Sequence, residues 1–352
     1  MSAPMSQTRK AVALISGGLD SLLAARVILE QGIQVEGINF YTGFCVEGHT
    51  HAIRRQDTQR PKRNRALQVA EQLGIRLHIV DISEPYKDIV LHPRHGYGAN
   101  LNPCLDCKCF MVAQALEWLH AHHFDFIITG EVIGQRPMSQ RKDTMPVVAH
   151  ESGAGDLLLR PLCAKNLPPT LPEREGWVDR SRLYDFNGRS RKPQMALAAR
   201  YHLRDYAQPA GGCCFLTDAS YSAKLADLWK FRGRRDYDLD DILLLKIGRH
   251  LRPRPHFKLI IGREEGENNF LEGYRKRFIH LRTLSHPGPL VLVDGMLHGP
   301  EDRELVARLS ARFSQGRNAE VVEVELIELD GTATRLTVAP LGAHEVPESW
   351  YR

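Results

Sequence analysis

No apolar run in this sequence approaches the roughly 20 residues that a bilayer-spanning helix needs. Ala11 to Ile15, near the start, is also too short for the apolar core of a secretion signal, so we expect a cytoplasmic protein with no membrane partner. A disulfide framework is missing as well. The seven cysteines are odd in number and three fall within 104–109, a spacing that points to metal or thiol chemistry in a reducing compartment. No GKS or GKT ends a glycine loop, no GxGxxG opens a helix and no HExxH occurs among the sixteen histidines. A Walker A site, a dinucleotide fingerprint and a zincin site are therefore excluded. There is no internal repeat, which excludes a solenoid.

What is present is ordinary globular composition over 352 residues, 43% hydrophobic and 25% charged, enough for two or three domains. The net charge of +5 is mild but uneven. Residues 180–204 hold seven basic groups against one acidic, 230–282 hold fourteen against eight, and 301–352 reverse to six against ten. A basic centre is how an electrostatic footprint for a polyanion is laid down.

Apolar periodicity predicts a strand over Lys10 to Ile15, a glycine turn and a helix continuing through Leu22, Leu23, Val27 and Ile28. Further strands are expected at Ile33 to Phe40, Ile75 to Val80 and Phe124 to Thr129, with helices at Asn64 to Leu73, Lys108 to His120 and Pro193 to His202. This alternation predicts an α/β domain with a parallel sheet covered on both faces and a ligand site at the carboxyl ends of its strands. Residues 166–191 read as a long functional loop. Beyond about 236, β-prone runs at Leu243 to Ile247, Lys258 to Ile261, Leu290 to Val293 and Val321 to Leu329 predict a smaller α+β domain.

A strand that delivers glycines into a helix N-terminus is an anion site, because unpaired backbone N–H groups and the helix dipole both favour negative charge there. Ser16 and Ser21 add hydroxyls to Gly17 and Gly18, while Asp20 would repel phosphate unless Mg²⁺ sits between them. The string Ser16-Gly17-Gly18-Leu19-Asp20-Ser21 resembles the pyrophosphate loop of the PP-loop ATP pyrophosphatases, an adenine nucleotide alpha hydrolase-like fold. Thr129-Gly130-Glu131-Val132-Ile133-Gly134-Gln135 resembles the second motif of the tRNA thiouridine synthetases in that superfamily, and Leu159-Arg160-Pro161-Leu162 their next strand. The resemblance implies ATP with Mg²⁺, nucleotide or substrate contacts at Gly130 and Gln135, and secondary contacts at Glu131 and Arg136.

Asn102-Pro103-Cys104-Leu105-Asp106-Cys107 sets two thiols at the start of a predicted helix, where the dipole favours thiolates. It is similar to the cysteine loop of iron–sulfur-dependent tRNA thiolases and overlaps that of the 2-thiouridine synthases. By that resemblance Cys104, Cys107 and Cys213 hold a [4Fe–4S] cluster, with Cys214 in reserve as third ligand. A Cys persulfide resolved as a disulfide between Cys107 and Cys213, or a structural Zn²⁺ held by Cys104, Cys107, Cys109 and a later cysteine, stand as alternatives. Cys45 and Cys163 read as core residues, His49 and His51 as surface, and residues 92–98 as a possible substrate loop.

In the second domain the strings Lys246 to His250 and Lys258 to Arg263 resemble the RNA-binding domain of NFACT proteins. Phosphate contacts are expected from Arg249, His250, Lys258 and Arg263, and RNA guidance from Arg189, Arg191 and Lys192 in the first. The expectation is a tRNA sulfurtransferase with catalytic residues Asp20, Cys104, Cys107 and Cys213, a catalytic domain over 9–220 and an RNA-binding domain over 236–340. Its partners are tRNA and a sulfur donor, a cysteine desulfurase or sulfide. A PP-loop ligase acting on a small molecule and a noncatalytic RNA-binding protein are the alternative functions.

Overall fold

The computed structural model describes residues 8–46, 64–204, 206 and 214–352. They divide into two compact units, one within Met1–Thr42 and Lys62–Gly212, the other within Gly43–Pro61 and Cys213–Arg352. Cys213, His49 and His51 lie outside the described residues.

The first unit is a five-stranded parallel sheet with spatial order β3-β2-β1-β4-β5. The strands are β1 Lys10–Leu14, β2 Gln34–Tyr41, β3 Leu77–Asp81, β4 Phe126–Ile128 and β5 Leu158–Leu159. Alternate residues of β1 face opposite layers. Ala11 and Ala13 pack with Leu22, Leu23 and Val69 from the helices Leu19–Leu29 and Arg65–Leu73. Val12 packs with Val112, Ala115 and Val148 from the helices Cys104–Ala121 and Thr144–Glu151 on the other face. Burial on both sides explains why β1, β4 and β5 read as continuous apolar runs. Asn64 caps its helix by accepting the Ala66 N–H at 2.8 Å, which sets the helix start where the sequence predicts it.

The Lys10, Gln34 and Phe126 strands lie side by side, so the chain leaves β1 for β2 on one flank and takes up β4 on the other. That reversal opens a crevice between the loops after β1 and β4. The helix containing the cysteine pair starts four residues earlier than its apolar period, at Cys104, because Pro103 supplies the turn that precedes it.

The second unit is a six-stranded antiparallel sheet with order β11-β10-β8-β9-β7-β6. Its strands are β6 Arg249–Arg254, β7 Phe257–Ile261, β8 Ile279–Thr283, β9 Val291–Gly295, β10 Val322–Ile327 and β11 Ala333–Val338. Phe257, Leu259 and Ile261 turn toward Val306 and Leu309 of the helix Pro300–Arg312, and Ile260 toward Leu244 and Leu271 on the opposite side. One expected strand is absent. Leu243 and Leu244 end a helix, Leu239–Leu244, because Asp238 accepts the Asp241 N–H at 2.7 Å while Asp241 accepts the Asp238 N–H at 2.8 Å. That reciprocal cap outweighs the β propensity of the apolar run.

Candidate nucleotide and sulfur site

The loop after β1 and the loop after β4 meet at the crevice. A Cβ on Gly130 would stand 2.4 Å from the Asp20 carbonyl carbon and 2.5 Å from the Ser21 nitrogen, so the second loop crosses the first helical turn at a distance that only glycine permits. Ser21 Oγ donates to the Gly18 carbonyl at 2.9 Å and accepts the Ser16 N–H at 3.3 Å, which holds the turn. Leu19 is buried beneath it, leaving Ser16 exposed at the mouth.

Two segments converge on Asp20. Gln135 Nε2 donates to its Oδ2 at 2.6 Å, Arg191 Nη2 donates to the same oxygen at 3.1 Å, and Gln194 Nε2 steadies Gln135 through its Oε1 at 3.1 Å. Burial raises the Asp20 carboxyl pKa above the ordinary carboxylate value, against the opposing pull of Arg191, Gln135 and Arg136. Asp20 Oδ1 is buried and has no hydrogen-bond partner. A partly buried carboxylate with one uncommitted oxygen beside a helix N-terminus fits a Mg²⁺ ion carrying nucleotide phosphates. The expected nucleotide residues Ser16, Gly17, Gly18, Asp20, Ser21, Gly130 and Gln135 thus occupy one site. Arg191, expected to guide RNA, is drawn instead onto Asp20 with its side chain 19% exposed, whereas Arg189 and Lys192 are on the surface.

Glu131 is not at the mouth, contrary to its expected contact role. It is fully enclosed, accepting from Thr129 Oγ1 at 2.9 Å and from Arg160 Nε at 3.0 Å, with Lys108 Nζ at 3.9 Å. Burial would raise its pKa, but the charges of Lys108 and Arg160 outweigh that and hold it lowered. The pair locks the β4 loop to β5.

The same loop reaches the cysteines. The Gly134 N–H donates to the Gln140 carbonyl at 2.6 Å, folding 134–140 back so that Ser139 Oγ lies 3.4 Å from Cys104 Sγ. Cys104 and Cys107 are half-buried, three residues apart in the first turn of their helix and hence on one face. Asp106, between them, accepts the backbone N–H groups of Arg94 and His95 at 3.2 and 3.0 Å, and His95 spans from Asp106 to Glu151 at 3.0 and 3.2 Å. Residues 94–95 are therefore a brace for the cysteine turn. Cys109 and Cys163 are buried, and burial pushes both thiols up to about 12.

In the second unit Cys214 stands across an antiparallel bridge from Cys45, which is half-buried and not the core residue expected. Lys246 beside them donates to the Gly43 carbonyl at 2.5 Å and lies 5.0 Å from the Phe215 ring centroid. Burial lowers its pKa to about 8, with the two thiols acting in the opposite direction. No sequence spacing links positions 45, 214 and 246, so this grouping is visible only in the fold.

Two of the expected phosphate contacts are corrected. His250 is buried, hydrogen-bonded through Nε2 to the carbonyls of Ile247 and Leu244 at 2.9 and 3.2 Å, with its pKa well below the ordinary histidine value because burial opposes the charge. Lys258 is also buried, paired with Asp294 at 3.1 Å. Both line a cavity of about 190 Å³ with Arg232 and Arg277. The alternation of β6 and β7 turns these two side chains inward, a phase that the basic composition of the strings does not reveal. Arg249 remains exposed, and Arg263 is half-exposed and paired with Glu267.

The parallel sheet, its strand reversal and the glycine loop define a PP-loop type of α/β nucleotide domain. Residues 9–148 match the family model of the tRNA methyl transferase HUP domain, and residues 248–351 that of the NFACT protein RNA binding domain. A tRNA-specific 2-thiouridylase MnmA of Sulfurimonas denitrificans is 29% identical over 130 residues, 36% of this chain and 35% of that protein. The 2-thiouridylase MnmA of Dehalococcoides mccartyi is 26% identical over 216 residues, 60% of this chain and 56% of that protein. A solved 4-thiouridine synthetase in complex with RNA and ATP is 22% identical, with a TM-score of 0.33, covering 44% of this chain and 36% of that one. The chain thus spans between about a third and just over half of the length of these curated relatives. Its first unit is thus similar to the tRNA methyl transferase HUP domain and to the MnmA 2-thiouridylases, and residues 248–351 are similar to the NFACT protein RNA binding domain.

Proposed function

We propose that this chain thiolates a uridine in tRNA at the expense of ATP. The observation that carries the proposal is the convergence of Gly130, Gln135, Arg191 and Gln194 on Asp20, which joins the pyrophosphate loop, the thiouridine-synthetase motif and the start of the helix Lys192–Arg200. The N–H groups of the first helical turn and the Ser16 hydroxyl bind the phosphates of ATP. Asp20, held by Gln135 and Arg191, keeps its second oxygen for Mg²⁺. The uridine carbonyl oxygen attacks the α-phosphorus, the bond to pyrophosphate breaks, and the oxygen becomes part of a good leaving group. A sulfur nucleophile then adds to the activated carbon and AMP departs with the former carbonyl oxygen.

Cys104 and Cys107 are the sulfur-handling residues in this reading, with Cys213 as their third partner. Two half-exposed thiols on one face of a helix N-terminus suit either a persulfide or ligation of iron. A [4Fe–4S] cluster on Cys104, Cys107 and Cys213 would supply an open iron for sulfide. The catalytic domain lies within 9–220 and the RNA-binding domain within 236–340, and a cysteine desulfurase or free sulfide supplies the sulfur.

The test combines the full chain with tRNA, ATP, Mg²⁺ and sulfide under anaerobic conditions and reads thiouridine by mercury-gel retardation and AMP by chromatography. Thiouridine and AMP should appear in equal amounts, and Asp20→Ala should reduce both at least a hundredfold. AMP formation that ignores tRNA and yields no thiouridine would overturn the proposal in favour of a small-molecule ligase. Cys104→Ala should still release pyrophosphate while forming no thiouridine, because adenylation precedes sulfur transfer and AMP leaves only when sulfur displaces it.

A further inference from the structure

The second unit holds a cluster of side chains that neither the nucleotide site nor the RNA contacts use. The turn between β6 and β7 presents His256, the segment after β9 presents His298, and the first turn of the Pro300–Arg312 helix presents Asp302. Asp302 is buried, while His298 is exposed. Asp302 Oδ2 lies 2.7 Å from His256 Nε2 and accepts the His298 backbone N–H at 2.8 Å. The two imidazoles stack, with centroids 4.1 Å apart and planes inclined by 8°. One ligand atom from each of the three residues lies within 4.8 Å of the others.

Ligand atoms that share one tetrahedral zinc at ~2.1 Å stand roughly 3.4 Å apart. His298 is the exposed member of the set and therefore the one with room to adjust toward that spacing. The backbone holds the histidine-bearing segments together independently of these contacts. Gly295, at φ +132°, approaches so closely that a Cβ there would stand 2.2 Å from the His256 carbonyl oxygen.

We propose that His256, His298 and Asp302 form a site for one divalent transition-metal ion of the zinc class, with water in the remaining position. The ion pins the β6–β7 turn to the start of the last helix of the unit. Two nitrogens and one carboxylate oxygen suit zinc or cobalt better than Mg²⁺, which takes oxygen ligands.

The test uses the full chain after treatment with a chelator and titrates it with Zn²⁺ by calorimetry and with Co²⁺ by absorption. His298→Ala, exposed and away from the core, is compared with the double variant Cys104→Ser, Cys107→Ser. The double variant should keep one zinc equivalent, and its cobalt form should show visible bands without the near-ultraviolet absorption of a sulfur ligand. His298→Ala should lose that equivalent or bind it at least tenfold more weakly, and zinc should no longer raise its melting temperature. His256→Ala, checked for folding by circular dichroism, should behave alike. The proposal is overturned if His298→Ala binds zinc as the parent does, or if the equivalent disappears in the cysteine variant alone.

Discussion

Gly130 occupies the point where two loops from different strands touch, and its missing side chain is what lets Gln135 reach Asp20. A methyl group at 2.4 Å from backbone that is itself anchored in a helix must push one loop away, since neither atom belongs to a flexible side chain. Displacement of reacting groups by about an ångström typically costs on the order of a hundredfold in rate. Gly130→Ala should therefore lower kcat/KM for AMP formation by about that factor while the far-ultraviolet spectrum stays unchanged. A rate within threefold of the parent would mean that the loops do not need this contact. The role of the glycine was legible as a motif position, but its partner was not, because 110 residues separate Gly130 from Asp20 and only the strand reversal brings them together. Arg191 was legible as a positive charge and misplaced for the same reason.

At the scale of elements, ion pairs decide several positions that hydrophobic pattern leaves open. Asp227, on the helix Ala219–Arg232, accepts from Arg252 of β6 at 2.7 Å and from Arg352 at 2.9 Å, with Asp227 and Arg252 both nearly enclosed. Burial alone would raise the Asp227 pKa, but Arg252 and Arg352 outweigh it and leave it lowered. Removing one partner of such a pair leaves a buried charge and costs about 3 kcal/mol. Asp227→Asn should accordingly lower the melting temperature at pH 7 by roughly 6–12 °C, at 2–4 °C per kcal/mol for a unit of this size. Because the folded-state pKa is depressed, this stability is present above the unfolded carboxylate value of 3.8 and is lost as pH falls through the folded-state value. The gap between parent and variant should then narrow in melts below pH 3.8, and a gap constant from pH 7 to pH 2.5 would rule out the ionised pair as its source. The central strands of the parallel sheet were largely readable, since they are apolar on both faces. Leu239–Leu244 was hidden because two aspartates with no apolar signal set it, and the helices Ala219–Arg232 and Pro300–Arg312 were not read at all.

Across the whole molecule, the basic stretches and the second unit's family match argue for a polyanionic partner, yet the burial pattern sorts the cations that can meet one. Charge counting gives Lys258 and Arg249 the same weight. Lys258 lies inside, neutralised by Asp294, while Arg249, Arg189 and Lys192 face outward. Each phosphate contact contributes a nearly constant amount to the slope of log affinity against log salt, about 0.9 for duplex and 0.7 for single-stranded regions. Arg249→Ala and Lys192→Ala should each reduce the slope of tRNA binding by close to 1, measured by filter binding from 50 to 300 mM salt. Lys258→Met should leave the slope unchanged, because the ammonium it removes releases no counterion from RNA. A Lys258→Met slope reduced as far as that of Arg249→Ala would show that the cavity opens to phosphate on binding, and the inward side chains would then rejoin the RNA surface that composition alone suggests.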